Sequence, residues 1–434
     1  MRVWGPKFST RAWHRSSLLE AEGVERPGLP PQLLPALQAL ASEVGVSRLA
    51  LVGGAVRDAL LHDEHCDPWR ELPDLDLVME GSASELAAAL QRHYGDERVQ
   101  EVRVHGAYGT AELSFDGVLL DLAGARQDHY PAPGENPVVE SGSLERDLER
   151  RDFTVNAMAL ELSLSGDREP LLLDPHGGQA HLERRELAFL HASSVADDPT
   201  RVIRAARYGA RLGFVLTPSS QDQLRTTLKR WPWSWRHGQS TEHVPPALGT
   251  RLRMELELLF ENEPWLKALE LLQQWGALAL LDPLLSSNAT LIRRLRWAMR
   301  LKVPLILALV AAATDPCSLG QRLQLPLRQQ RLLEESMSLT NWLHSEVLPQ
   351  AWVGWSAVQW TEALETRAWS PESVVLTVAM GVPCWRPMLR WWGRWRKIRS
   401  PLSAKDLIAS GIPAGPGLGL ALHQARVKAL DSMR

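Results

Sequence analysis

The chain has 434 residues, a formal net charge of −3, 45% hydrophobic residues and 23% charged residues. This balance excludes a disordered or fibrous chain and leaves room for two or more packed domains. Three widely spaced cysteines, Cys66, Cys317 and Cys384, exclude a disulfide framework and a CxxC metal pair, which fits a reducing compartment.

Met1 to Lys7 lacks the apolar core of a secretory leader, and the longest apolar run, Val303 to Ala313, is shorter than the ~20 residues that span a bilayer. That run reads as a buried helix, no membrane partner is expected, and the expected location is cytoplasmic. A near-neutral chain needs a local basic face to meet a polyanion. Of the 18 tryptophans, 15 lie after residue 230, so the two halves differ in composition.

In chain order, residues 1–34 read as a polar, weakly packed extension ending in Gly28-Leu-Pro-Pro31. Leu33 to Val44 has helical apolar spacing. Ser47 to Val52 reads as a strand, Gly53-Gly54 as a turn, and the residues to Leu61 as a helix. His62 and His65 share a helix spacing without a second ligand pair, so His62 to Asp67 reads as an exposed turn, not a zinc site. Leu75 to Met79, Gly109 to Phe115 and Val118 to Leu122 read as strands, Arg150 to Ala159 as a helix, and Leu171 to Asp174 as a strand running into a Pro-Gly turn. Residues 35–180 thus form an α/β domain. Beyond Arg184 strand signals nearly vanish. Helices are expected over Asp198 to Leu212, capped by Asp197 or Asp198, and over Leu252 to Leu259, Trp265 to Trp275, Ala289 to Leu301, Leu319 to Leu343 and Ala404 to Ser432.

The chemistry concentrates in the first domain. Strand residues at i and i+2 face the same side, so Asp74 and Asp76 aim two carboxylates at one point, and Asp121 joins them if its strand is a neighbour. Clustered carboxylates repel unless a cation lies among them. Hard oxygen donors favour Mg²⁺, and two ions ~3.5–4 Å apart can activate a hydroxyl and stabilise a leaving pyrophosphate. The Gly53-Gly54 turn lets backbone N–H groups approach a triphosphate at a helix N-terminus.

Five ordered motifs carry a resemblance to a known family. They are Gly53-Gly54-Ala-Val-Arg57-Asp58 with Asp74-Leu-Asp76, then Arg150-Arg151-Asp152-Phe153-Thr-Val-Asn156, then Asp174-Pro-His-Gly177-Gly178. Asp197-Asp198-Pro-Thr-Arg201-Val-Ile-Arg204-Ala-Ala-Arg207 follows, and Arg251-Leu-Arg-Met-Glu255 fits more loosely. The set resembles the class II tRNA nucleotidyltransferase and bacterial poly(A) polymerase family. The resemblance implies a polymerase beta-like α/β head (35–180), then an all-helical neck (181–270) that selects the base, and a helical body and tail (271–434) that hold tRNA. The implied reaction is Mg²⁺-dependent addition of C, A or both from CTP and ATP to a tRNA 3′ end; no DNA partner is expected. General-RNA poly(A) addition and an inactive RNA-binding homologue are the alternatives. The mildly basic end, Leu420 to Arg434, favours tRNA over the first, and the intact acidic and arginine motifs oppose the second.

By the same resemblance Gly53, Gly54, Arg57, Asp58, Arg151, Asp152 and Asn156 contact the nucleotide. Asp198 and Arg201, read as two neighbours on one helix face, match the exocyclic amine and ring acceptor of C or A and mismatch U and G. Arg204 continues that face toward the triphosphate, with Arg207 beyond. Asp121 is either a ligand or a base. The loop between Tyr130 and Glu145 occupies the place of a family loop that helps switch from C to A, and its presence argues against addition of C alone. Arg293, Arg294, Arg390, Arg394, Arg396 and Lys397, interleaved with tryptophans, are candidates to grip RNA backbone, while the tryptophans themselves read as core. The segments 62–72 and 231–246 are insertions against the family pattern, the second without a functional reading.

Overall fold

The computed structural model describes residues 9–12, 33–68, 74–106, 109–165 and 168–432. They divide into two compact units. The first runs to Ser234 and includes Pro245–Ala247; the second comprises Trp235–Val244 and the chain from Leu248.

The first unit opens with β1 (Ser9–Ala12), α1 (Leu33–Glu43), β2 (Arg48–Val52), α2 (Gly54–His65), β3 (Leu75–Glu80) and α3 (Ala83–Arg98). The strands β4 (Val99–His105), β5 (Thr110–Phe115), β6 (Val118–Gly124), β7 (Arg126–His129) and β8 (Val138–Ser141) follow. After α4 (Leu144–Glu149) come β9 (Ala159–Leu162), β10 (Leu171–Asp174), α5 (Gly178–Glu183), β11 (Glu186–Leu187), α6 (Ser194–Asp197), α7 (Thr200–Leu212), β12 (Val215–Leu216) and α8 (Pro218–Arg230).

Its main sheet has the order β1-β10-β9-β2-β3-β6-β5-β4. Every neighbouring pair is antiparallel except β3 and β6, which run parallel. The Leu-Ala-Leu-Val run of β2 is buried because that strand lies centrally between β9 and β3. Arg48 at its start ties the sheet together: it bonds Glu161 of β9 at 2.7 and 3.0 Å, Glu145 of α4 at 2.8 Å and Glu80 of β3 at 3.2 Å.

The second unit is helical. It contains α9 (Thr250–Asn262), α10 (Trp265–Gln274), α11 (Leu291–Arg300), α12 (Leu305–Ala311), α13 (Pro316–Arg322) and α14 (Leu327–Trp342). It ends with α15 (Ala357–Thr366), α16 (Pro371–Met380), α17 (Trp385–Gly393), α18 (Ala404–Ala409) and α19 (Pro416–Asp431). Trp342, Trp360, Trp391 and Trp395 pack one core with Val374, Val378, Cys384 and Met388. Large rings fill space between helices, which explains the tryptophan enrichment without invoking a ligand. Val303 to Ala313 does contain the buried helix α12, and no helix among the described residues is long and apolar enough to cross a membrane.

Several sequence expectations are corrected. Within the 1–34 extension, Ser9–Ala12 is a strand on the β10 edge; the rest of the extension up to residue 32 lies outside the described residues. Helix α2 runs on to His65 and stops at Cys66 in the left-handed region (φ 57), so His62 to His65 is helix instead of turn; residues 69–73 of the 62–72 insertion are not described. Arg150 to Ala159 is not a continuous helix; only Thr154–Asn156 makes a single 3-10 turn. The buried Asp147 carboxylate captures Arg150 and Arg151, Phe153 turns extended and bridges Phe189, and Ala159 enters the sheet. Side-chain and ladder bonds outweigh the weak helix preference of that stretch. Leu319 to Leu343 breaks at Gln324 (φ 51) and Pro326, and Ala404 to Ser432 breaks between Gly411 (φ 97) and Gly415 (φ 152). Neither proline nor a left-handed residue continues a helix. β11 and β12 form a short parallel pair in a stretch expected to be helical.

The Asp174-Pro-His-Gly177-Gly178 turn braces this unit. Asp174, buried, accepts from the Gly178 N–H at 2.6 Å and the Gln179 N–H at 3.0 Å, and Gly177 is left-handed (φ 70). A Cβ on Gly178 would overlap the Thr154 carbonyl oxygen and come within 2.9 Å of the Met158 side chain. Gly178→Ala is therefore expected to destabilise the protein by about 1–3 kcal/mol, read as a lowered urea midpoint; an unchanged midpoint would show that α5 does not depend on this close approach.

Candidate active site

Asp76 on β3 and Asp121 on β6 are register partners across the one parallel pair of the main sheet, so both side chains rise from the same face. Asp74 lies just before β3. One oxygen from each of Asp74, Asp76 and Asp121 falls within 4.8 Å of the others. Among the described residues no ion pair involves these three carboxylates. Burial pushes the Asp76 carboxyl up to about 6; Arg151 opposes the rise, and Asp74, Asp121 and Asp147 add to it. Burial, then Asp74 and Glu112, also raise Asp121. Three converging hard oxygens that resist joint ionisation suit a divalent cation.

Gly53 closes β2 and opens α2 in the left-handed region (φ 71). A Cβ there would stand 3.0 Å from Asp76 Oδ2 and 3.3 Å from Arg151 Nη1, so only glycine lets the turn, the carboxylate and the guanidinium meet. Gly54 starts α2, whose first N–H groups have no partner within the helix. Arg151 is held in place by Asp147, fully buried, whose carboxylate takes Arg151 Nη2 at 2.9 Å and Arg150 Nη2 at 2.6 Å. The i,i+3 and i,i+4 spacing of these pairs is readable in the sequence; that they orient Arg151 toward Gly53 and Asp76 is not. Arg57, also buried, bonds Asp58 twice, at 2.8 and 2.9 Å, donates to Asn156 Oδ1 at 2.7 Å and lies over the Tyr208 ring.

The expected Asp198–Arg201 helix face is not formed. Asp198 precedes α7 in extended conformation (φ −142, ψ 91). Its Oδ1 accepts from Thr200 N–H and Oγ1, and its Oδ2 takes Arg204 Nη2 at 3.2 Å. Arg201 instead donates to the carbonyls of Ser194 and Arg150 and meets Asp152 Oδ1 at 3.3 Å. Arg204 pairs with Asp152 at 2.6 Å. Asp198 and Arg201 are both almost fully buried, and Asp152 links them to the Arg150–Asn156 segment. Arg207 lies one turn further along α7. The structure therefore brings the first, second and fourth motifs into linked networks within one unit, while the third braces them.

The remaining sequence candidates belong to the second unit. Arg251 and Glu255 are on α9. Arg293, Arg390, Arg394 and Lys397 are exposed, whereas Arg294 and Arg396 are half-buried. Arg396 donates to the Trp392 carbonyl at 2.6 Å, and burial together with Arg293 lowers the Arg294 guanidinium. Glu112, register partner of Asp121 on β5, has no signal in the sequence pattern because its facing depends on strand order.

Residues 49–188 match the Poly A polymerase head domain. The CC-adding tRNA nucleotidyltransferase of Deinococcus radiodurans is 32% identical over 391 residues, covering 89% of this chain and 86% of that protein. The A-adding tRNA nucleotidyltransferase of Aquifex aeolicus is 36% identical over 233 residues, but the match spans 53% of this chain and only 25% of that longer protein. In fold, the chain is similar to a CCA-adding enzyme in apo form (TM-score 0.68, 24% identity, 93% of each chain covered). It is also similar to the Thermotoga maritima CCA-adding enzyme complexed with tRNA (TM-score 0.66, 23% identity, 98% and 96% covered). On the strength of the near full-length Deinococcus match and the head-domain match, the chain belongs to the class II tRNA nucleotidyltransferase family.

Proposed function

We propose that this protein adds C, A or both from CTP and ATP to the 3′ end of tRNA, releasing pyrophosphate, and works in the cytoplasm. The observation that carries the reading is the convergence of Asp74, Asp76 and Asp121 beside the Gly53 turn, with Arg151 aimed at the same corner. The relatives named above act on tRNA, which favours tRNA over general RNA.

In the reaction the RNA 3′ oxygen bonds to the α-phosphorus, the α–β anhydride bond breaks, and the hydroxyl proton is lost. Asp74 and Asp76 would hold Mg²⁺, and two such ions, when bound, lower the hydroxyl's pKa and spread charge on the leaving pyrophosphate. Asp121 completes the carboxylate set or accepts the proton. The Gly53-Gly54 turn presents backbone N–H groups at the α2 N-terminus to the triphosphate. Arg151, oriented by Asp147, offers a planar donor fork to phosphate oxygens. Arg57, Asp58, Asp152 and Asn156 support the sugar and phosphates. Asp198 accepts from the exocyclic amine of C or A and Arg201 donates to the ring acceptor. Since Asp198 Oδ2 now takes Arg204, base entry exchanges that partner and frees Arg204 for the triphosphate. The exposed arginines of α11 and α17, with Lys397, grip the RNA backbone without reading sequence.

Two readings of the base set remain distinct. The loop between β7 and β8 supports more than C alone. The Deinococcus relative, matched over most of its length, is CC-adding and supports C alone.

One assay separates these readings. Purified protein is given CTP or ATP with tRNA ending at the discriminator base, with tRNA ending in CC, or with unrelated RNA. Extension of tRNA is expected; long A tails on unrelated RNA would replace this reading with poly(A) addition. Asp76→Asn should lower incorporation at least about a hundredfold, and near-normal turnover in that variant would sink the metal assignment. Asp198→Ala should keep divalent-ion affinity while raising UTP or GTP use about tenfold or more; unchanged base choice, measured as relative kcat/KM, would end the base-reading role.

The raised Asp76 carboxyl predicts a pH effect. An unfolded Asp titrates near 3.9, the folded one at about 6, so its contribution to stability is full below the unfolded value and lost as pH rises through 6. Metal-free protein should lose about 1 kcal/mol between pH 5 and 7.5 from this group. Mg²⁺ should restore the melting temperature at pH 7.5 but hardly at pH 5. Equal Mg²⁺ stabilisation at both pH values would contradict the assignment.

A further inference from the structure

The segment 231–246, an insertion without a sequence-based role, supplies the most informative contact outside the reacting centre. Trp231 ends α8 in the left-handed region (φ 49) and meets Trp233 edge to face at 4.9 Å. Trp233 is 3% exposed, and its Nε1–H donates to the Ala196 carbonyl at 2.9 Å. Between β7 and β8, Gly134 is buried against this ring. Its N–H donates to the Asp197 carbonyl at 3.1 Å, and its own carbonyl accepts from the Ala247 N–H at 3.1 Å. Gly134 has φ +81, and a Cβ there would stand 2.8 Å from Trp233 Cδ1 and 3.1 Å from Pro245 Cβ.

These contacts converge on the two residues that precede Asp198. The carbonyls of Ala196 and Asp197 end the short helix α6, where no later turn can use them. An indole N–H takes one and a loop N–H takes the other. Two fixed peptide planes leave the Asp198 side chain, 1% exposed, little freedom of direction. A hydrogen-bonded base pocket discriminates only if its acceptor holds position, because a displaced carboxylate no longer penalises a mismatched edge.

We propose that Trp233 and Gly134 form a clamp that sets the position of Asp198 and thereby the stringency of base selection. Trp233 is a positioning residue that does not touch the nucleotide. The inference rests on Asp198 reading the base.

The test compares wild type, Trp233→Phe, Trp233→Ala and Asp198→Ala in the full-length protein with tRNA and each of the four nucleoside triphosphates. Trp233→Phe keeps a ring over Gly134 but removes the donor to Ala196. It should melt within a few degrees of wild type, retain kcat for the preferred nucleotide, raise its KM, and lose about tenfold in discrimination against UTP and GTP. Trp233→Ala should lose more. A purely structural defect lowers the active fraction, and so kcat, without altering the ratio between nucleotides. If Asp198→Ala relaxes base choice and both Trp233 variants discriminate like wild type, the clamp is wrong while the base-reading role stands. If Asp198→Ala leaves base choice intact, both ideas fall.

Discussion

Mutual repulsion among three carboxylates is the constraint around which the first unit is organised. Asp76 and Asp121 are forced together because β3 and β6 run parallel in register, and Asp74 joins them from the approach to β3. An arrangement that raises the Asp76 carboxyl to about 6 is unfavourable for the empty fold. The sheet tolerates it through strong bonds elsewhere. Arg48 gathers carboxylates from β3, β9 and α4, and β2 is buried between its neighbours. The Arg48 cation stabilises the scaffold, and the corner with the three carboxylates is left acidic.

A second layer turns a cluster of arginines into a directed set. Asp147 orients Arg150 and Arg151, Asp152 gathers Arg201 and Arg204, and Asp58 with Asn156 fixes Arg57. In each case a buried or half-buried acid fixes where a guanidinium fork points, so less is lost in ordering it against an anion. Asp174 acts at one remove, through Gly178, on the backbone that carries Thr154 and Asn156.

Much of this was legible from residue spacing. The i,i+2 spacing of Asp74 and Asp76 pointed to one shared place, although Asp74 stands just before the strand, and the glycines at 53 and 54 marked the turn beside them. The facing of Asp121 required strand order, which local pattern does not contain. The Arg150–Ala159 stretch misled because charged residues at helical spacing also suit a buried acid, and Asp147 captured them. Helical spacing points Asp198 at Arg201, but the helix begins two residues after Asp198, and Arg204 reaches its carboxylate instead. The breaks at Pro326 and Gly411 to Gly415 carried visible punctuation that apolar periodicity overran. Trp233 against Gly134 could not be foreseen, since the two are distant in sequence and neither has a pattern that names the other.

The short strand Ser9–Ala12 covers the outer edge of β10, pairing Ser9 with Asp174 and Ala12 with Leu171. Without it, β10 would present unsatisfied backbone groups, an open template on which another chain can add a strand. Shortening the polypeptide from its start, a common step in preparing crystals, therefore trades a tidy N-terminus for self-association, and loosens the strand from which the Asp174 turn departs.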